Sequence, residues 1–191
     1  ARHVDTVSTP DFLKLTAAGG LYSQFAGGAL VKGEDMVVGI VDGGIWPENP
    51  AFADRVDANG KPTFDQSGSL AYTSAPASFK GGCTAGEGFD PVKHCNNKLV
   101  GAKFFNTGFL AANLPKNWTE FYSPRDSSNG FDGTSSGHGG HGDHTASTAA
   151  GNAGVPVVID GIPMGEASGI APRARVASYK VCWTYDDPTN P

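Results

Sequence analysis

Two stretches of the chain hold residue types that can carry acid–base chemistry, and the first is residues 137–152 (GHGGHGDHTASTAAGN). It sets three histidines among glycines and continues as a run of small residues that ends at Gly151. Small side chains let a helix pack with its backbone close to a sheet, and a glycine is suited to end it. The glycines before the helix can adopt positive φ, and they let a neighbouring segment of the chain or a substrate approach the backbone closely. The pattern predicts a buried helix with an imidazole in its first turn, where a general base can act.

The second stretch, residues 36–52 (MVVGIVDGGIWPENPAF), places a carboxylate after a short apolar run. Val37 to Val41 are mostly β-branched, which is typical of a strand buried on both faces. The run ends at Asp42, which two glycines follow. Open α/β sheets build their sites at the carboxyl ends of parallel strands. Asp42 is therefore predicted to lie at a functional site.

Further elements must hold these two stretches in place. Apolar runs predict strands over residues 98–105 (KLVGAKFF) and 176–183 (VASYKVCW). Near the start, Pro10 and the apolar Phe12, Leu13 and Leu15 predict an arm and one helix that pack on the core. Residues 53–97 and 106–136 are polar and glycine-rich, and they are predicted to be surface excursions.

Length and composition narrow the class of protein. The 191 residues allow one domain, and 39% hydrophobic with 17% charged residues is a globular composition. No stretch approaches the ~20 apolar residues of a membrane span. The net charge of −5 and the lack of a basic run argue against a nucleic-acid partner. The chain starts at Ala1 and shows no signal peptide, which fits a processed protein.

Five blocks, in order, resemble the subtilases, a family of serine proteases, and its plant-type subgroup in particular. They are STPDFLKL (8–15), VVGIVDGGIWPENPAF (37–52), FKGGCTAGEGFDPVKHCNNKLVGAKFF (79–105), GHGDHTASTAAG (140–151) and GIAPRARVASYKVCW (169–183). The resemblance implies an α/β fold, a subtilisin-like doubly wound and mostly parallel sheet flanked by helices. Residues 1–191 would form the N-terminal portion of one such catalytic domain, so the fold is only partly present.

The resemblance also assigns roles to two residues. Subtilases hydrolyse peptide bonds with an Asp, a His and a Ser in that chain order. Asp42 matches the carboxylate that orients the imidazole, and His141 matches the general base. His144 would then be a packing or hydrogen-bonding residue buried in the helix.

A shared metal ion is the other interpretation of His138, His141 and His144. Residues six apart on one helix face away from each other, and the H-E-x-x-H zinc signature is missing. No cofactor is predicted. Calcium is not supported at the position where many bacterial subtilases place a calcium-binding carboxylate, because Ala51 stands there; calcium elsewhere stays open, since oxygen ligands leave weak sequence traces.

The chain departs from the family pattern at three places. Gly43 stands where the family has Ser or Thr, and Asp143 stands where it has Thr. Asp143 either complements the dipole of the helix or raises the pKa of His141. About ten extra residues, 127–136 (SSNGFDGTSS), lengthen the approach to the histidines and are expected to form a flexible loop.

The cysteines point to an oxidising compartment. Cys83 and Cys95 are predicted to form a disulfide, since zinc bound through them and His94 would lack a fourth ligand. Cys182 is either a buried residue of the last strand or the partner of a cysteine beyond Pro191. Asn117-Trp118-Thr119 matches the glycosylation acceptor, which is used only on a secretory route. We expect a secreted, extracellular protein.

The family's G-T-S-x-A motif, which carries the nucleophilic serine, does not occur between Ala1 and Pro191. The chain is therefore expected to be inactive by itself and to need the C-terminal remainder of the catalytic domain. Its other expected partners are a propeptide and a protein or peptide substrate. The alternative is a non-catalytic fragment, or a binding or decoy module.

Overall fold

The computed structural model describes residues 12–24, 32–127 and 139–186. Within these ranges the strands are β1 (Val37–Asp42), β2 (Arg55–Val56), β3 (Pro62–Thr63), β4 (Ser69–Leu70), β5 (Leu99–Phe104), β6 (Val155–Ile159), β7 (Ile162–Ala167) and β8 (Arg175–Lys180). The α-helices are α1 (Pro91–His94), α2 (Thr107–Ala111) and α3 (His141–Ala150), and short 3-10 turns lie at Leu21–Ser23 and Pro50–Phe52. No described helix is long and apolar enough to cross a membrane.

The main sheet has three parallel strands in the order β1-β8-β5. In the register of this sheet, both Asp42 and Phe104 lie opposite Lys180, so the three strands end together at one edge. The strands predicted over residues 98–105 and 176–183 are β5 and β8, with slightly shorter bounds. This parallel sheet, with α3 packed against β1 and β8, is the α/β arrangement that the sequence predicts.

Strand β1 is less buried than its apolar sequence predicts. Its residues alternate between half-buried and exposed, and the Val41 residue is 68% exposed. In the described part of the chain β1 pairs with β8 alone, so it is an edge strand. The prediction of burial on both faces was wrong: Gly39 and Val41 lie on the same face of the sheet, and both are exposed in the described structure.

Helix α3 packs through its small residues, as the sequence predicts. Ala146 and Ala150 are fully buried and join Ile45, Phe52 and Val176 in the hydrophobic core. The helix begins at His141, directly after Gly140, whose φ of 80° lies in the left-handed region. One face of α3 is buried, whereas His141 and His144 are exposed.

The two excursions contain little regular structure. In residues 53–97 the strands β2, β3 and β4 form a small antiparallel sheet. The predicted disulfide between Cys83 and Cys95 is confirmed, and it uses both sulfurs that the zinc alternative required. In residues 106–136 the described part holds the short helix α2. Residues 128–138, which include His138 and almost all of the predicted loop, lie outside the described residues.

The N-terminal arm can be compared with prediction only in part. The expected helix start at residues 9–11 lies outside the described residues. Phe12 and Leu13 are exposed, so they do not form the packed apolar face that the sequence predicts. The arm instead contacts the core through Tyr22, a buried residue whose hydroxyl donates to the carbonyl of Ile170.

Candidate active site

Asp42 and His141 meet at the carboxyl edge of the sheet. Asp42 is the last residue of β1 and His141 is the first residue of α3, so two elements 99 positions apart bring them together. The Nδ1 atom of His141 lies 2.8 Å from Oδ1 and 3.0 Å from Oδ2 of Asp42. The imidazole is 72% exposed, while the carboxylate is only 16% exposed. This contact leaves Nε2 as the ring nitrogen that can exchange a proton with a bound group.

The carboxylate of Asp42 is held by further donors. The Gly43 N–H donates to Oδ1 over 2.6 Å, and the Thr145 hydroxyl donates to Oδ2 over 3.2 Å. Burial alone would raise the pKa of Asp42, but the Gly43 N–H, His141 and Thr145 together hold it below its ordinary value. Asp42 is thus kept ionised, as a partner for an imidazolium must be. The sequence analysis did not predict a role for Thr145 at the site, although Thr145 lies one helical turn after His141 on the same face of α3.

Glycine backbones bring the helix and the strand end into direct contact. A Cβ atom on Gly142 would lie 2.3 Å from the carbonyl oxygen of Gly44 and 2.7 Å from its nitrogen. A Cβ on Gly44, which has φ 125°, would in turn lie 2.7 Å from the Pro124 carbonyl oxygen. No side chain fits between these segments. The close approach places His141 within hydrogen-bonding distance of Asp42.

Asp126 fixes the first turn of α3 from a neighbouring segment. Its Oδ2 accepts from the N–H of Asp143 over 3.0 Å, and its Oδ1 accepts from Ser127 over 2.9 Å. Gly140, the residue before the helix, supplies no side-chain cap, so Asp126 takes that role from outside. Burial raises the pKa of Asp126, although the hydrogen bonds from the Asp143 and Ser127 N–H groups act to lower it. A Cβ on Gly43 would lie 3.1 Å from Asp126 Oδ1, which explains why glycine suits this position.

Asp143 binds the segment that follows β1. Its Oδ1 accepts from the N–H of Trp46 over 3.0 Å, and its Oδ2 accepts from Asn49 Nδ2 over 2.8 Å. Burial raises the pKa of Asp143 to about 6; the bonds from Asn49 and Trp46 oppose this shift, while Asp126 and Glu48 add to it. Both carboxylate oxygens are thus occupied by Trp46 and Asn49. The geometry favours a structural role in docking α3 over a direct effect on His141.

A cavity of about 530 Å³ opens beside the Asp42–His141 pair. Its walls include His144, Cys182 and Trp183. His144 was expected to be buried in the helix, but it is exposed, because it lies on the face of α3 that carries His141 rather than on the packed face. Cys182 was expected to be a buried strand residue or to pair with a cysteine beyond Pro191. It is not buried: it is an exposed thiol after the end of β8 with no disulfide partner in the described residues, and its N–H donates to the carbonyl of Asp42. A disulfide with a cysteine beyond Pro191 stays a prediction.

A buried ion pair supports the wall of this cavity. Lys180 and Glu120 are paired with their side chains almost completely buried, and Lys180 Nζ also donates to the carbonyl of Arg125 over 2.7 Å. Burial lowers the pKa of Lys180, although Glu120 and Asp126 oppose the shift. Glu120 Oε2 accepts from the N–H of Thr184 over 2.7 Å, which fixes the segment after β8. Sequence reasoning missed this network.

The histidines do not form a metal site in the described part of the chain. Within residues 12–24, 32–127 and 139–186, no three His, Cys, Asp or Glu side chains are grouped so that they could hold a metal ion. His138 lies outside these ranges. What the structure does bring together is a carboxylate, an imidazole and a cavity beside them, an arrangement suited to general acid–base chemistry.

Comparison with known proteins identifies the family. The family model described as "Subtilase family" matches residues 33–189. The chain is 41% identical over 186 residues to Subtilisin-like protease SBT1.5 of Arabidopsis thaliana. The aligned region covers 95% of this chain and 20% of that protein. The chain is also 38% identical over 189 residues to Subtilisin-like protease SBT3.8 of the same plant. That aligned region covers 96% of this chain and 20% of the relative.

The chain spans about a fifth of the length of these curated relatives. The family match confirms the expected subtilisin-like α/β fold, and it includes the strand of Asp42, the helix of His141 and the central strand β8. The identities over nearly the whole chain also confirm the resemblance to plant-type members. Because the family model covers most of its residues, the chain belongs to the subtilase family.

Proposed function

We propose that the full-length protein is a secreted serine endopeptidase that hydrolyses peptide bonds in proteins. Asp42 is the orienting carboxylate and His141 is the general base. One observation carries this proposal: His141 Nδ1 lies 2.8 Å from Asp42 Oδ1, at the carboxyl edge of a parallel sheet. Family membership and the names of the relatives support the reaction class.

The geometry suits each proton transfer of this reaction. With Nδ1 bound to Asp42, Nε2 of His141 takes the proton of a serine hydroxyl as the hydroxyl attacks the peptide carbonyl. The ionised Asp42 stabilises the imidazolium that results. Nε2 then gives the proton to the leaving amine, and a water molecule repeats the sequence to release the acyl group.

The nucleophile and the partners complete the proposal. The serine comes from the C-terminal remainder of the catalytic domain, because this sequence contains no G-T-S-x-A motif. The substrate backbone lies along the cavity beside His141. The disulfide between Cys83 and Cys95 supports an extracellular location, where such bonds persist.

A fluorophosphonate probe, which labels only an activated serine, tests the proposal on the full-length protein. The wild-type protein should be labelled and should cleave a protein substrate. Asp42→Asn should lower kcat by about 10⁴, because the imidazole loses its correct tautomer. His141→Ala should lower both labelling and cleavage to a similar extent.

Asp160→Asn is a matched control, since it removes the same charge. Asp160 is an exposed residue of the turn between β6 and β7 with φ 51°, a conformation that asparagine also tolerates. It should keep wild-type labelling. A folded full-length protein that takes no label and cleaves nothing would contradict the proposal and favour a binding or decoy module.

A further inference from the structure

Positive charge collects at the amino edge of the main sheet, opposite Asp42 and His141. Lys98 directly precedes β5, and Arg175 begins β8 two residues after Arg173. Arg55 in β2 and Lys32, which lies before β1, face the same region. This concentration stands out in a chain whose net charge is −5.

Lys98 is the buried centre of this group. Its residue is 0% exposed, and its Nζ donates to Tyr72 Oη (2.9 Å), the Pro172 carbonyl (2.9 Å) and the Ala174 carbonyl (2.6 Å). Among the described residues, no carboxylate lies within 4.0 Å of this ammonium group. Burial lowers the pKa of Lys98 to about 7, and the nearby Arg173 and Arg175 contribute to the shift. Lys98 is therefore held by three neutral oxygen acceptors, without a carboxylate partner among the described residues.

A small cavity lies over this group. It has a volume of about 140 Å³, and Lys32, Arg55, Arg173, Tyr72 and Asn152 contribute to its walls. Tyr72 and Asn152 are buried and hydrogen-bonded to each other, so this part of the wall is fixed. The Arg173 guanidinium stacks at 4.3 Å from the centre of the Tyr72 ring, which holds it in one orientation.

Both guanidinium groups keep donors for a ligand. Arg55 Nη1 donates to the Gly68 carbonyl, and Arg173 Nη2 donates to the Ala71 carbonyl. Each guanidinium has five N–H donors, so these bonds use a minority of them. Within the described ranges neither side chain has a carboxylate within 4.0 Å. Two acids lie near the group: Glu34 accepts from the Lys32 backbone N–H, and Asp35 pairs with Arg175, which does not line the cavity.

We propose that this cavity is a binding site for a small, doubly charged oxyanion of the sulfate or phosphate class. The guanidinium forks match the oxygen geometry of such anions, and the positive charges of Lys32, Arg55 and Arg173, which line the cavity, attract them. The size also agrees, since an engineered cavity of about 150 Å³ holds a molecule as large as benzene. A bound anion stabilises the native state by mass action, independently of the catalytic proposal.

Sulfate binding to the full-length protein tests this site, because sulfate does not titrate near neutral pH. The melting temperature and the binding heat are followed during a sulfate titration, with chloride used to keep the ionic strength constant. Wild-type protein should show a saturable rise in melting temperature and a stoichiometry of one. Arg173→Gln should weaken sulfate binding at least about tenfold, as expected for the loss of a charged hydrogen bond.

Arg55→Gln is a second variant and the safer substitution for folding, because Arg173 also stacks on the buried Tyr72 ring in addition to its hydrogen bond. It should weaken binding in the same way. Lys93→Gln is the matched control, because Lys93 is an exposed cation on α1 with its nearest acid, Asp90, at 4.0 Å. It should bind sulfate like wild type. A titration without saturation, or equal affinities in wild type and both arginine variants, would overturn the proposal, and proteolytic activity would be unaffected by that result.

Discussion

Replacing Gly142 by alanine would separate the two elements that hold Asp42 and His141 together. A Cβ atom at this position would lie 2.3 Å from the Gly44 carbonyl oxygen and 2.7 Å from the Gly44 nitrogen. Carbon and oxygen atoms in contact normally lie about 3.3 Å or more apart. Helix α3 or the turn after β1 must therefore move by about 1 Å. Both contacting atoms belong to backbone, so no side chain can rotate away to relieve the clash.

Two opposing effects set the outcome of Gly142→Ala. Alanine is favoured over glycine inside a helix by about 1 kcal/mol. Overpacking in a tightly packed site costs about 1 to 3 kcal/mol, so the free energy of unfolding should fall by up to about 2 kcal/mol. The effect on catalysis should be larger, because a misplacement of about 1 Å can lower the rate about 10²-fold.

The assay compares Gly142→Ala with Gly108→Ala in the full-length protein. Gly108 lies in helix α2, and a Cβ there would meet nothing within 4 Å. Gly108→Ala should leave kcat unchanged and should stabilise the protein slightly. The measurements are the denaturation midpoint, kcat on a peptide substrate and the rate of labelling by a fluorophosphonate.

Equal kcat values for Gly142→Ala and wild type would refute this reasoning. They would mean that α3 can retreat without disturbing the contact between His141 and Asp42. A loss of stability with unchanged kcat would likewise show that the close glycine contact serves folding alone.

Three further predictions concern the residues around the site. Asp126→Asn should lower the free energy of unfolding by about 1 to 3 kcal/mol, because one buried N–H loses its acceptor; a midpoint equal to that of Asp160→Asn would contradict this. The folded-state pKa of Asp143, about 6, lies above its ordinary value of 3.8, so its contribution to stability is full below about pH 4 and is lost as the pH rises to about 6. In Asp143→Asn, the change in the free energy of unfolding between about pH 4 and pH 6 should therefore be smaller than in wild type by up to about 3 kcal/mol. If the melting temperatures of the variant and of wild type vary equally with pH, the prediction is contradicted. Replacing Cys83 and Cys95 together by serine should cost about 3 kcal/mol, and a melting temperature insensitive to reductant would show that the disulfide contributes little.

Local patterns in the sequence predicted the elements that hold the site. The apolar run before Asp42 gave strand β1, and the small residues after His141 gave helix α3. These patterns work because strand and helix periodicity and backbone packing depend on neighbouring residues. The contact between Asp42 and His141 came from family resemblance, since spacing along the chain does not encode a contact over 99 positions.

The errors of the sequence analysis have a common physical origin. The burial of β1 and of His144 depends on which other segments cover them, and no single stretch contains that information. Lys180 was not recognised as buried because lysines are rarely buried without an acidic partner, and its partner, Glu120, lies 60 residues away in the sequence.

The hairpin of β6 and β7 was missed although it carries a recognisable signal. Asp160 and Gly161 form its turn with φ values of 51° and 76°. An Asp-Gly pair between apolar runs is a strong local sign of such a turn. This element was predictable from the sequence, in contrast to the burial of Lys180.

The order of strands in the main sheet has a consequence for how the protein folds. Strand β8 is central, yet it is the last of the three in the chain, and β1 and β5 pair with no other strand of the described structure; β5 has one further bridge, between Ala102 and Cys83. During synthesis, β1 and β5 must therefore wait for residues 175–180 before their backbone hydrogen bonds can form. Pairings of such long sequence separation form slowly, because the loop-closure entropy is lost before the contacts are gained. Asp42 and His141 should consequently acquire their mutual geometry late in folding, and little acid–base machinery should exist on an incomplete chain.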